Sequence, residues 1–184
     1  YLIILVLTIE DGFSQVENVS NEKFHMEIDG HTLKIPIYPS QDILLSDEAI
    51  ERVIVVLHGN TREAKDHFQN MEAIVNGASM NEGTLIIAPQ FLTEYDIEFH
   101  SLDDEHLYWT NGGWKSGSNS RDEITNPRPA RIPSYAVMDN LFLHLVEQFP
   151  SLTSIVFAGH SAGGQFTQRY AATSPLAEIL CSGY

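Results

Sequence analysis

Residues 155–165 read IVFAGHSAGGQ, and this stretch decides the fold. Ile155 to Ala158 is short, apolar and rich in β-branched and aromatic side chains, the pattern of a buried strand. Gly159-His160-Ser161-Ala162-Gly163 follows and matches G-x-S-x-G. A helical stretch then runs from Gly164 to Thr173, where Ser174-Pro175 ends it. The pentapeptide by itself turns up by chance in roughly 6% of chains of this length. Its setting between a strand and a helix makes it specific. A serine there stands on a sharp turn with strained backbone angles. Glycines at Gly159 and Gly163 remove side chains that would collide at such a turn. The hydroxyl of Ser161 then projects above the carboxyl end of the strand. The helix points its amino terminus at the same place, where its dipole favours negative charge. In that geometry the Ala162 N–H is aimed at the oxyanion of a tetrahedral intermediate.

Working outward, Val53 to Leu57 (VIVVL) is apolar throughout, as a parallel strand covered on both faces would be. His58-Gly59-Asn60 follows it directly, and a glycine after a strand lets the backbone approach a neighbour closely. Leu85 to Ala88 (LIIA) is a third such strand, ended by Pro89. Helical spacing appears over Ala64 to Ala78, with Phe68, Met71, Ile74, Val75 and Ala78 on one face. It appears again over Tyr135 to Phe149, with Ser134 as the cap and Pro150 as the stop. Ahead of these lie two apolar runs, Phe24 to Ile28 and Leu33 to Tyr38, flanking the turn dipeptide Asp29-Gly30. Pro36 and Pro39 place the second run at a sheet edge. Strands alternating with helices predict an α/β fold with a mostly parallel sheet and an antiparallel N-terminal hairpin.

These motifs, VIVVLHGN at 53–60, LIIAPQ at 85–90 and FAGHSAGGQ at 157–165, resemble the first part of an α/β-hydrolase of the esterase and lipase type. The resemblance runs from the hairpin near Phe24 to the helix near Thr173. It implies a serine hydrolase cleaving carboxylic esters through an acyl-enzyme intermediate at Ser161, with no cofactor and no metal. It also implies that the loop after Val53–Leu57 gives the second oxyanion donor: the Asn60 N–H, with Thr61 as the neighbouring possibility. His58 and Gly59 complete that loop, and His58 braces it by hydrogen bonding. Two other readings use the same residues. One is a peptidase or amidase with the same machinery, and the other is a non-catalytic hydrolase-fold protein that binds.

The sequence departs from the resemblance in one respect. The family pattern places an acid and then a histidine after the nucleophile. The 23 residues after Ser161 contain no histidine and a single acid, Glu178. All eight histidines, His25, His31, His58, His67, His100, His106, His144 and His160, precede Ser161 or adjoin it. His58 and His160 belong to the motifs, His106 to a long loop and His144 to the helix before the elbow. The expectation is that the triad acid and histidine are not in this chain, which would leave the fragment itself nearly inactive.

Composition narrows the remainder. With 43% apolar and 19% charged residues, the 184-residue chain is built like an ordinary globular domain. Twenty-five acids against ten bases give a net charge of −15, which repels nucleic-acid backbones. The expected partner is a small-molecule, lipid or polymer ester, with no nucleic acid and no stable membrane span. One cysteine, Cys181, excludes an intrachain disulfide and a multi-cysteine zinc site. Tyr1 to Ile9 (YLIILVLTI) reads as a signal-peptide remnant, with residues 1–14 removed after Ser14 and a secreted or extracytoplasmic product. Residues 15–184 then form an incomplete hydrolase domain. Asn18-Val19-Ser20 matches a glycosylation acceptor. The long connection 91–133 carries Tyr108, Trp109 and Trp114, expected to pack it onto the body. Its acids Glu94, Asp96, Glu98, Asp103, Asp104 and Glu105 lack calcium-loop spacing and read as a solvated charge run.

Overall fold

The computed structural model describes residues 15–176. The leader-like run at residues 1–14, Glu178 and Cys181 lie outside them.

Asp29 and Gly30 both take positive φ, 52° and 79°, the mirror-image turn that matches strand twist. They join β1 (Lys23–Ile28) to β2 (His31–Pro39) as an antiparallel hairpin. The chain continues through β3 (Arg52–Leu57), α1 (Ala64–Gly77) and β4 (Thr84–Pro89). The long connection holds β5 (Leu92–Thr93), α2 (Glu94–Phe99), β6 (Tyr108–Trp109) and a 3-10 turn at Trp114–Ser116. It is followed by α3 (Ser134–Gln148), β7 (Ser154–Gly159) and α4 (Ala162–Thr173).

The main sheet has the order β1-β2-β4-β3-β7. β3 pairs in parallel with both β4 and β7, and β2 pairs antiparallel with β4. This is the mixed α/β architecture expected, consistent with a partial α/β-hydrolase fold. Alternation along β3 separates two layers. Val53, Val55 and Leu57 join the main core with α3 and α4, whereas Val56 faces α1 together with Ala64 and Ala88.

Four details differ from the sequence reading. β2 is interior, not an edge, because its two halves serve different neighbours. Pro36 is the last partner of β1, at Lys23, and pairing with β4 begins at Ile37, so the proline stands where one ladder hands over to the other. Ser134 is the first residue of α3 and does not cap it; its hydroxyl donates to the Trp114 carbonyl at 2.6 Å. Ile74 on α1 is 62% exposed, and Val75 is the residue that turns inward. The acidic run is only partly solvated: Asp96 is fully buried against Arg62, and Lys34 bridges Asp103 and Glu105. Tyr108, Trp109 and Trp114 are buried, and both tryptophans belong to the main core.

Candidate active site

Strand register brings the site together. Leu57, the last residue of β3, lies opposite Gly159, the last of β7. Neighbouring strands are about 4.8 Å apart. The segments His58-Gly59-Asn60 and His160-Ser161-Ala162 therefore leave the sheet side by side. The His160 N–H donates to the Leu57 carbonyl at 3.1 Å and ties the two exits together.

Ser161 has φ 52° and ψ −111°, a conformation that costs any residue with a side chain of order 1–3 kcal/mol. The surroundings enforce it. A Cβ on Gly159 would meet the backbone carbon of Gly163 at 2.3 Å, and one on Gly163 would meet the carbonyl oxygens of His58 and Leu57 at 2.5 and 2.6 Å. Neither position accepts a side chain. The turn closes through Gly163 N–H to the His160 carbonyl at 2.8 Å, and α4 starts with Gln165 N–H on the Ser161 carbonyl at 3.1 Å. Ala162 opens α4, where N–H groups have no intrahelical acceptor.

Gly59 faces the elbow: a Cβ there would lie 3.7 Å from the Ser161 Cβ and 3.4 Å from His160 Nδ1. The direction of the Asn60 N–H follows from the peptide before it. The Gly59 carbonyl is held by the His58 ring at 2.8 Å and by the Arg62 N–H at 3.1 Å. In a trans peptide the N–H points opposite to the carbonyl, so the Asn60 N–H is turned away from both. It finds no acceptor among the described residues. The Asn60 side chain, exposed at the rim, accepts from Lys115 at 3.0 Å.

His58 is wholly buried, and its tautomer follows from its neighbours. The Phe91 N–H donates to Nε2 at 3.0 Å, so Nε2 is bare and Nδ1 carries the hydrogen given to Gly59. Burial first, then nearby Arg62, drives its pKa down to about 4. The ring packs 4.8 Å from Trp114, which with Phe91 and Phe166 supports the loop from below.

The other histidines are placed apart from this role or beside it. His106 binds Asp103 at 2.7 Å next to β2, with β4 and β3 between it and β7. His144 Nε2 donates to the Ile43 carbonyl at 2.9 Å. His160 is exposed, 5.4 Å from the His67 ring. His67 was not singled out from the sequence, yet its Nε2 accepts the Gly59 N–H at 3.3 Å. No histidine is hydrogen-bonded to the Ser161 hydroxyl among the described residues, and no cluster of three metal-ligating side chains occurs among them.

Sequence reasoning also missed Arg62 and Asp96, which meet through two hydrogen bonds of 3.0 and 3.1 Å in the interior. The one available signal was Thr93-x-x-Asp96, the spacing of a helix-capping pair. A cavity of about 250 Å³ opens nearby, lined among others by Tyr95, Tyr108, Trp109, Asn111 and Arg121.

No family model and no curated protein matches the chain. Solved structures of hydrolases do match over most of it. Poly(aspartic acid) hydrolase-1 from Sphingomonas sp. KT-1 is 22% identical, with a TM-score of 0.45, over 83% of this chain and 51% of its own. A thermostable esterase is 15% identical, with a TM-score of 0.44, over 84% of this chain and 38% of its own. Siderophore hydrolase EstB from Aspergillus nidulans is 17% identical, with a TM-score of 0.43, over 90% of this chain and 55% of its own. The chain thus spans between 38% and 55% of the length of the solved chains it is similar to.

Proposed function

We propose that this chain carries the nucleophile half of a serine hydrolase acting on carboxylic esters. The observation that supports it is the strained Ser161, held at positive φ by Gly159 and Gly163 with the Gly59 backbone against it. A binding protein has no use for a serine kept at that cost. In this reading the Ser161 hydroxyl attacks the ester carbonyl. The Ala162 and Asn60 N–H groups receive the oxyanion, and the acyl group stays on Ser161 until water releases it. The reading also requires a base that takes the serine proton and returns it to the leaving alcohol, and an acid that orients that base; no histidine bonds the Ser161 hydroxyl among the described residues. Oxyanion donors contribute because they are aimed before charge develops, and His58 holds Gly59 so that Asn60 needs no rearrangement.

The test uses the full-length protein. Turnover of p-nitrophenyl acetate and covalent labelling by a fluorophosphonate are measured with and without Ser161→Ala. Loss of both is the expected result. Labelling at another residue, or equal turnover, overturns the assignment. Comparing the ester with its amide analogue then separates an esterase from an amidase.

A further inference from the structure

Asp96 is the most heavily engaged carboxylate among the described residues. It is fully buried, and five donors reach it. Arg62 Nε and Nη2 donate at 3.0 and 3.1 Å, the Thr93 N–H and hydroxyl at 2.6 and 2.9 Å, and the Val16 N–H at 2.8 Å. Capping a six-residue helix accounts for the Thr93 N–H bond and not for Arg62 or Val16. Burial alone would raise its pKa, but Arg62 and the two N–H groups outweigh that and hold it below the usual carboxylate range.

The pair reaches the candidate site through Arg62. Its Nη1 donates to the Asn60 carbonyl at 3.2 Å, and its own N–H to the Gly59 carbonyl at 3.1 Å. The peptides on both sides of Asn60 are therefore fixed by one residue. Arg62 itself sits at φ 64°, unfavourable for an arginine, and the bond pattern around Asp96 keeps it there. Gln90 Nε2 joins the same knot, donating to the carbonyls of Arg62 at 3.0 Å and Asn18 at 2.9 Å. On the other side, Val16 is wholly buried with Leu92, Ile97 and Tyr108, and its carbonyl meets His100 Nε2 at 2.8 Å. The N-terminal segment at Val16–Asn18 is thus a strap, tied to the oxyanion loop through Asp96 and Gln90, with the Glu17 N–H on Glu63 at 2.8 Å as a further anchor.

We infer that Asp96 and Arg62 are positioning residues for the Asn60 oxyanion donor, and that docking of the N-terminal strap at Val16 sets how well that donor works. The inference rests on the reading of Ser161 as nucleophile. It predicts that displacing the strap slows the acyl-transfer step although the strap itself never touches substrate.

Three variants of the full-length protein test it. Arg62→Lys keeps the charge opposite Asp96 but cannot also reach the Asn60 carbonyl. Val16→Pro removes the N–H given to Asp96 and keeps an apolar side chain. Val16→Ala keeps the N–H and trims the packing. Arg62→Lys is expected to lower kcat for p-nitrophenyl acetate by about thirtyfold and Val16→Pro by about fivefold, with KM changed by less than about twofold. Affinity for a boronic acid, whose adduct on Ser161 puts an oxygen in the oxyanion site, should weaken in parallel with kcat. Val16→Ala, which keeps the N–H given to Asp96, should lower Tm and reduce kcat less than Val16→Pro does. A loss of Tm in Arg62→Lys and Val16→Pro with wild-type kcat and boronate affinity overturns the inference and leaves a structural tie only. Retained turnover in Ser161→Ala would instead sink the underlying reading, so the two failures are distinguishable.

Discussion

At Ser161 and Gly163 the same few atoms set both geometry and stability. Ser161 occupies a conformation that glycine adopts without penalty, so Ser161→Gly should stabilise the fold by about 1 kcal/mol while removing the proposed nucleophile. Urea unfolding of the two proteins checks the sign. Gly163→Ala should destabilise, since its Cβ would stand 2.6 Å from the Leu57 carbonyl oxygen at the end of β3, which is held by the His160 N–H. A loss of about 3 kcal/mol is expected, at the upper end for overpacking. His58 gives the fold a pH dependence. Its ordinary pKa of 6.5 falls to about 4 in the folded state. Between those values the unfolded chain takes up a proton that the folded chain does not. The stability it contributes is complete above pH 6.5 and is lost as pH falls through about 4. Its size is on the order of 3 kcal/mol. Unfolding free energies at pH 7 and pH 4.5 should show a steeper acid loss for the natural protein than for His58→Asn. Equal slopes would remove His58 as the cause. The expectation that His58 hydrogen-bonds to its own loop came from the resemblance, and the structure shows that bond, to the Gly59 carbonyl. Its tautomer was not legible in the sequence, because it depends on the Phe91 N–H, 33 residues away.

Among the elements, α4 carries the elbow and is docked by aromatic side chains. Phe166 is wholly buried within 6.5 Å, centroid to centroid, of Phe91, Trp114, Tyr135, Phe157 and Tyr170. Tyr170 adds a hydrogen bond of 2.5 Å to Asp139 on α3, and the same carboxylate oxygen accepts from Ser174. Phe166→Ala should cost about 4 kcal/mol and weaken the near-ultraviolet circular dichroism of the tryptophans. A change under 1 kcal/mol would mean that α4 is held by Tyr170 and its backbone contacts instead. The three parallel strands were legible because each is a continuous apolar run with a turn signal after it. β5 and β6 were not, being two residues each and stabilised by burial of Leu92, Tyr108 and Trp109 rather than by any period of their own. The misjudged edge of β2 has the same origin: a proline reports which ladder bond is missing, and only the fold says which neighbour lacks it.

Over the whole molecule, charge is unevenly used. The sequence shows −15 but hides that Asp96 is buried and that Asp103 is held down at about 2, where the effect of burial is outweighed by Lys34 and His106. Pairings across 34 and 69 residues leave no local signature. The acids left in water repel one another, so raising ionic strength from about 10 to about 300 mM should increase stability by about 1 kcal/mol. A urea midpoint that is unchanged or falls with salt would show that attraction within pairs outweighs the net repulsion. The approach of Gly163 to the carbonyls of Leu57 and His58 has a consequence for redesign. The spacing between the serine turn and the oxyanion loop is set by main chain against main chain, so no choice of side chain can tune it. Any change of preference has to be written into side chains around that frame, such as Lys115 on the Asn60 side chain, while the frame itself stays as inherited.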